Sequence, residues 1–554
     1  MKKTIVFHLG VIAFVLIISI PLLIPYLKSG YFPTHDGEWA VVRLSDMFRE
    51  LRDFQIPPRY SGNLNFGYGY PLFNFAYPFP YYIGVLVKFL GLSFVDSIKF
   101  VFGASTVLSS YFMFLAVRTI WKNDFAALLS SVIYLYFPYR LVDLFVRGSI
   151  GETVAFALFP LIFYCISKSM DNPKTNIFKI VGAVSYAALI MSHNIMAVFF
   201  SITLVFYFMA NIAAKKKHTL NTFVFVGLFG IFLSAFFWIP ALLEKGNILL
   251  SVIPIADRSQ FYVSLKDVFF SSWGYGIPTD RESGFTYQIG FPFIIVIASA
   301  TGLLIYNRIK KIKKDYDQIL AVIFLIGIGF FFLMLFPVSS LLWKLPFLSE
   351  INFPWTALSQ IGFLSSILVG FAAKQKLTKY ITLFAAILAL ILYIPLAKPS
   401  EFVNRGDGFY FTNDGTTTSS NELMPLWVKT HPGKRPDQKI KVLKGEAEIN
   451  NLFHNSKLVT FDTVSDTASV IRINTIYYPG WNVFENGEKI PINYNNEFGV
   501  MDINISSGKH NIEAVFSETR TRLISDLVSA VTLSLLVFVG LRSILPVFRK
   551  HGNS

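Results

Sequence analysis

The chain has 554 residues, 53% of them hydrophobic and only 15% charged, with a mean hydropathy of +0.53. Soluble chains carry about 25% charged residues, so this composition excludes a soluble globular enzyme. The net charge of +15 does not mark a nucleic-acid partner either. The basic residues gather in short loops at 215–217, 308–314, 374–379 and 549–550, between apolar runs, which is the charge pattern of cytoplasmic loops in a multi-pass membrane protein.

Taken in chain order, the opening "MKKTIVFHLGVIAFVLIISIPLLIPYL" begins like a secretory signal. Its long apolar stretch and the lack of a small-x-small cleavage site predict a retained first span instead. Spans are expected near 4–27, 97–119, 125–146, 152–168, 176–192, 194–214, 221–243, 288–307, 318–338, 354–373, 377–396 and 521–546, each of a length suited to a bilayer core. With a cytoplasmic N-terminus every basic loop falls on the cytoplasmic side. The segment 77–93 is short, Pro-broken and carries Lys88. It reads as juxtamembrane or re-entrant. If it crosses, one later segment does not, so the expectation is about 12–13 transmembrane helices. The only cysteine, Cys165, lies in an apolar run and cannot form an intrachain disulfide.

The first loop, 28–96, opens with "YFPTHDGEWAVVRL", where Asp36 and Glu38 stand beside His35. Trp39, Val42, Met47, Leu51 and Phe54 follow at roughly helical spacing and end at Pro57-Pro58, which predicts an amphipathic helix on the outer membrane surface. Acids at a helix start can simply cap it and complement its dipole. Alternatively, a carboxylate at the membrane surface can take a proton from an incoming hydroxyl, with the second acid tuning the first or holding a divalent cation such as Mg or Mn. A lipid-phosphate donor presents its cleavable bond at this depth and needs cationic partners.

Candidates for those partners lie at the same ends of the spans. Arg147 and Glu152 bracket the turn Gly148-Ser149-Ile150-Gly151, where Arg147 suits a phosphate or simply snorkels to headgroups. His193 and Asn194 interrupt a long apolar stretch as a tight outer turn, where polar residues are costly and often functional. Glu350 and Asn352 stand where a span begins. The Gly/aromatic loops 66–75 and 271–280 suit sugar stacking or interfacial anchoring.

Residues 397–520 change character. They are polar, and "SVIRINTIYYPGWNVF" and "GVMDINISSGKHNIEAVF" alternate with period two around Asn-Gly and Ser-Gly turns. That pattern predicts antiparallel strands, hence an extracytoplasmic β-sandwich-like domain closed by an anchor and cytoplasmic tail at 521–554. The remainder, 1–396, forms the transmembrane domain. No internal repeat is found, whereas many transporters show one. No P-loop or dinucleotide fingerprint occurs.

The "HDGE" motif after the first span resembles the Asp-x-Glu motif of GT-C superfamily glycosyltransferases, which use polyprenyl-phosphate sugars. More narrowly, "HDGEWAVVRL", "YGYPLFNFAYPFPYYIG", "YRLVDLFVRGSIGE", "LIMSHN", "INFPWTAL", "TTTSSNELMPLWV" and "YYPGWNVFENGEKI" are similar, in this order, to the 6-pyruvoyl-tetrahydropterin synthase-related membrane proteins, relatives of YfhO-type glycosyltransferases. The resemblance runs from residue 35 to about 490. It implies a GT-C fold in the plasma membrane, a donor such as undecaprenyl-phosphate hexose, and an outer, membrane-facing cavity. Asp36 would then be the general base and Glu38 its partner, with a glycan, lipid or protein acceptor. One departure is Thr356, where relatives tend to carry Arg after the Trp of "FPW". The phosphate contact expected there is missing or comes from elsewhere, with Arg281 and Lys344 the candidates. A transporter or lipid flippase, and a non-catalytic envelope-assembly protein, are the competing function classes.

Overall fold

The computed structural model describes residues 2–278 and 284–551, and side chains within 5–278 and 284–543. Among them, nine helices are long and apolar enough to cross a membrane. They become eleven if the bent pairs Asp124–Leu135 with Pro138–Arg147 and Thr219–Leu233 with Ala235–Leu243 each count as one span. The protein is a polytopic α-helical membrane protein with a C-terminal β-rich domain. The expected span at 176–192 is the 14-residue helix Ile177–Ile190, which runs back along Ile150–Asp171 and brings Ser192 to Gly151 at the start of that helix. Phe79–Phe89 has 11 residues, about 16 Å, too short to cross.

The helical body is built around Pro354–Ala372, whose apolar window is wholly buried. Phe94–Trp121 and Ile150–Asp171 pack along each other beside it. Aromatic rings lock the body together: Phe163 of Ile150–Asp171 stacks on Tyr207 of Asn194–Ala213 at 4.3 Å and meets Phe363 of Pro354–Ala372 edge-on at 4.9 Å. Rings buried this way contribute about 0.5–1.5 kcal/mol per pair beyond their burial.

The β-rich unit starts later than expected, at Ile440 rather than near 397. Its strands are β1 (Ile440–Lys444), β2 (Ala447–His454), β3 (Leu458–Ser465), β4 (Ser469–Ile476), β5 (Trp481–Glu485), β6 (Glu488–Ile490), β7 (Val500–Ile505) and β8 (Gly508–Phe516). They form two antiparallel sheets, ordered β1-β4-β7 and β2-β3-β8-β5-β6. The alternating residues of β3 and β8 are buried and exposed in turn, as one-sided packing requires. Asn486 and Gly487 close the β5–β6 hairpin, both with positive φ, the pairing a two-residue primed turn demands.

Residues 397–439 contain only the short helix Asp407–Phe411 and form a strap over the first loop. Val403 bridges to Tyr31, and the Arg43 side chain donates to the Thr417 hydroxyl at 3.0 Å and to its carbonyl. The predicted helix after Asp36 is present as Gly37–Arg52, but it has no free polar face. Its polar face is covered as well as its apolar one. Asp46 and Glu50 are as buried as Leu44 and Met47, because strap and β domain close over the side that would otherwise meet water. Asp46 accepts from Ser61, and Glu50 accepts from Gln55 at 2.7 Å and from the Gly62 amide at 3.1 Å.

Buried charge pins the loop, the β domain and the final helix together. Arg59 donates to Asp526 at 2.8 Å and to the Phe236 carbonyl at 2.6 Å. Arg522 meets Glu244 at 2.7 Å, with both side chains enclosed. Tyr478 and Asn74 also donate to that carboxylate, at 3.2 and 2.9 Å.

Candidate active site

Three chain turns meet at one point. The loop before the Gly37–Arg52 helix runs beside the end of the Pro138–Arg147 segment. The His35 amide donates to the Val146 carbonyl at 3.0 Å and the Asp36 amide to the Arg147 carbonyl at 2.8 Å. The turn leaves Arg147 through Gly148, whose φ is +65° and whose missing Cβ leaves room for Gly37 at 2.8 Å and for the Thr34 hydroxyl. Only glycine adopts that backbone without cost and allows so close an approach. Gly151 makes the second close contact, against the Ser192 carbonyl and the Tyr77 ring, which brings in the 191–193 turn.

Asp36 stands at the N-cap position of the helix, yet its side chain makes no capping hydrogen bond. The Thr34 hydroxyl does that work, accepting from the Gly37 amide at 2.9 Å. The Asp36 carboxylate is half-buried and accepts no hydrogen bond among the described residues. It lies close enough to Arg147, His35, Tyr77 and Tyr81 for its charge to act on each of them. Capping therefore does not account for this acid. Burial raises the Tyr77 and Tyr81 phenols above their ordinary value, so both are neutral donors beside it.

Asp143–Arg147 is a π-helical turn, a geometry frequent at functional sites. It carries Arg147 back onto two acids. Arg147 Nη1 donates to Asp143 at 2.8 Å, to Glu152 and, more weakly, to the Tyr139 hydroxyl at 3.3 Å. All three contacts use the one nitrogen. Nε and Nη2 hold no hydrogen bond among the described residues, and the guanidinium lies over the Trp355 ring at 4.8 Å. Stacking of this kind fixes the plane of the fork. Glu152 also accepts from Tyr139 at 2.6 Å.

His193 caps the helix Asn194–Ala213, its Nδ1 accepting from the Met196 amide at 3.3 Å. A nitrogen that accepts a backbone N–H carries a lone pair, so the proton of the neutral ring sits on Nε2, which faces Glu152 at 3.6 Å. Burial pulls the imidazole down to about 4, against the opposing pull of Glu152. His35 is also lowered by burial. It lies over Phe285 and reaches the Tyr275 carbonyl at 3.5 Å, which ties the 271–278 loop to the site.

The remaining predicted residues stand apart. Glu38 is turned to Arg405 of the strap at 2.8 Å and is not paired with Asp36. Asn194 is exposed and accepts from its neighbour's amide. Glu350 is 62% exposed and ion-paired with Lys245. Asn352 is half-buried, three positions before Trp355. Thr356 is buried, and Lys344 is exposed; Arg281 lies outside the described residues. The guanidinium over the Trp of "FPW" is that of Arg147. The 66–75 loop serves packing, since Tyr68, Tyr70 and Phe73 are buried and the Tyr68 carbonyl accepts from the Ile476 amide at 2.8 Å.

Glu38 is engaged by Arg405, and among the described residues no three His, Cys, Asp or Glu side chains converge. Residues the motifs did not single out are Asp143, Tyr139, Tyr77 and Trp355. Asp143 carried a usable signal, because a lone carboxylate inside an apolar run is costly unless it is paired.

The pattern of a membrane-protein family, described as the 6-pyruvoyl-tetrahydropterin synthase related domain, matches residues 73–401. The chain belongs to that family. An uncharacterized protein of Lactococcus lactis subsp. cremoris (strain MG1363) is 22% identical over 238 residues, 41% of this chain and 38% of its own length. Among solved structures, the arabinofuranosyltransferase AftD from Mycobacteria aligns with a TM-score of 0.45 at 14% identity, over 71% of this chain and 28% of its own. The oligosaccharyltransferase of Archaeoglobus fulgidus aligns at 0.43 and 14%, over 76% and 61%. ArnT from Cupriavidus metallidurans, bound to undecaprenyl phosphate, aligns at 0.37 and 12%, over 70% and 71%. The chain thus spans about two fifths of the Lactococcus relative and just over a quarter of AftD.

Proposed function

We propose that this family member is a GT-C-type membrane glycosyltransferase that moves a sugar from a polyprenyl-phosphate donor to an extracytoplasmic acceptor. The observation that carries the reading is the pairing of an unengaged carboxylate, Asp36, with a guanidinium held by one nitrogen only, Arg147. The two need each other for opposite halves of one displacement.

Asp36 takes the proton of an acceptor hydroxyl as that oxygen attacks the anomeric carbon. The bond from that carbon to the phosphate oxygen breaks, and its electron pair leaves with the polyprenyl phosphate. Nε and Nη2 of Arg147 receive the departing phosphate, the planar fork being suited to two of its oxygens. Attack opposite the leaving group inverts the anomeric centre. Asp143 and Glu152 hold Arg147 in place, and Trp355 fixes its plane. Neutral His193 keeps the Glu152 side of the site from gaining a second charge. Holding donor and acceptor together supplies a large part of the rate. The distribution of basic loops supports a cytoplasmic N-terminus and an outward-facing site, and the family resemblance supports the plasma membrane.

The test is transfer from labelled undecaprenyl-phosphate hexoses to envelope glycans, lipids and proteins by the purified chain in nanodiscs. Labelled product with inverted anomeric configuration supports the reading. Uptake of solute or lipid without any glycosidic product contradicts it and favours the transporter class.

A further inference from the structure

A cavity of about 470 Å³ opens where the first loop meets the β domain. It is separate from the Asp36 cluster. The Gly37–Arg52 helix starts at Asp36 and brings Arg49 to the cavity wall thirteen residues later, about 20 Å along its axis. Arg49 comes from the helix, Asn63 and Gly67 from the loop behind it, Arg435 and Lys439 from the strap, and His454 from the end of β2.

The charges here are unevenly matched. Arg49 has Asp46 at 3.8 Å, and Arg435 donates to Asp414 at 2.6 Å and to Asn63 at 3.0 Å. The acid on the wall, Asp53, is occupied by the Ser456 amide at 2.9 Å. Lys439 has no carboxylate among the described residues. Its ammonium donates to the Gly67 carbonyl at 2.9 Å and the Asn474 carbonyl at 3.0 Å. Burial and Arg435 pull it down to about 7, and both cations act in the same sense on His454. Cationic groups crowded in one cleft without matching acids raise the local concentration of anions. Asn455 and Ser456 add an amide and a hydroxyl to the wall, beside Gly62, Gly67 and Pro436, which suits a hydroxylated chain rather than an acyl tail.

We infer that this cavity binds an anionic, hydroxyl-rich chain, a polyol phosphate or acidic glycan, with Lys439, Arg435 and His454 receiving its charged group and Asn63 and Arg49 flanking the chain. Binding is measured without turnover, so its failure leaves the transfer reading untouched.

The experiment uses the full chain in phosphatidylcholine nanodiscs with an oligo(glycerol phosphate) as probe and maltohexaose as its neutral counterpart. The anionic probe binds at least roughly ten-fold more tightly, the scale of one charge-assisted hydrogen bond, and its affinity falls as salt is raised. His454→Gln and Arg435→Gln weaken it several-fold with unchanged melting. Equal affinity for both probes, or unchanged affinity in both variants, overturns the inference. Lys439 braces two carbonyls and its replacement can unfold the junction, so the wild-type chain supplies the independent measurement. Pyridoxal phosphate with borohydride labels Lys439, and the oligo(glycerol phosphate) protects it. Labelling that the probe does not suppress contradicts the assignment. At a salt concentration that screens the bilayer charge, replacing phosphatidylcholine with phosphatidylglycerol leaves the affinity unchanged; a loss there assigns the cavity to a lipid headgroup and equally overturns the inference.

Discussion

The amide of Asp36 donates to the carbonyl of Arg147 at 2.8 Å. The backbones that carry the acid and the guanidinium are therefore fixed relative to each other. The contact depends on Gly148, where φ is +65°. A Gly148→Ala chain pays about 1–2 kcal/mol for the left-handed backbone alone, and its Cβ overlaps Thr34 and Gly37. We expect lower melting and loss of sugar transfer, whereas Gly487→Ala, at a hairpin open to solvent, lowers melting and leaves transfer intact.

Arg147→Lys keeps a positive charge near Asp143 and Glu152 but removes the two unengaged fork nitrogens. Hydrogen bonds to charged groups contribute about 1.5–3 kcal/mol. Affinity for polyprenyl phosphate, measured by titration into nanodiscs, should fall roughly 10- to 100-fold while the fold survives. Unchanged affinity in that variant removes Arg147 from the donor site.

His193 is neutral in the folded chain and lowered to about 4, against about 6.5 when unfolded. Between these values the unfolded chain binds the extra proton. Stability is therefore full above about pH 6.5 and declines as pH falls toward 4, by at most about 1.4 kcal/mol per unit. Melting of wild type against His193→Gln over this range reads the difference, and the variant should show the shallower slope. A steeper slope in the variant contradicts a neutral His193.

Glu244 carries the contacts that join the Ala235–Leu243 helix, the loop residue Asn74, Tyr478 and the final helix. Breaking a buried pair by removing one partner costs about 3–5 kcal/mol. Glu244→Gln should lower melting strongly and loosen the β domain in hydrogen exchange. The exposed pair Arg405–Glu38 should contribute at most about 1 kcal/mol, so Arg405→Gln melts close to wild type.

Much of this architecture was legible in the residues. Spans declare themselves by length, and the strands of the β unit by alternation, with Asn486-Gly487 fixing one hairpin. The 191–193 turn followed from polar residues in an apolar stretch. What stayed hidden depended on distant chain. The spacing of Val42, Met47 and Leu51 announces a helix with an apolar face, but nothing local says that a strap 365 residues onward closes on Ser45, or that Ser61, Gln55 and Gly62 of the loop cover Asp46 and Glu50. Glu38 reads as the partner of Asp36 because the resemblance to the Asp-x-Glu motif pairs them. On a helix, positions two apart face different ways, and Arg405 takes Glu38. Asp143 was visible as a mid-run acid; its role became clear only when the π-helical turn brought Arg147 back over it.

The central claim is that Asp36 removes the acceptor proton, and the Asp36→Asn chain tests it most directly. Asparagine keeps the size of the side chain and loses its basicity. In a transfer assay with a polyprenyl-phosphate hexose, kcat should fall by roughly 100- to 10,000-fold, the range contributed by general-base catalysis, with donor affinity and melting as in wild type. Transfer by Asp36→Asn at the wild-type rate contradicts the account.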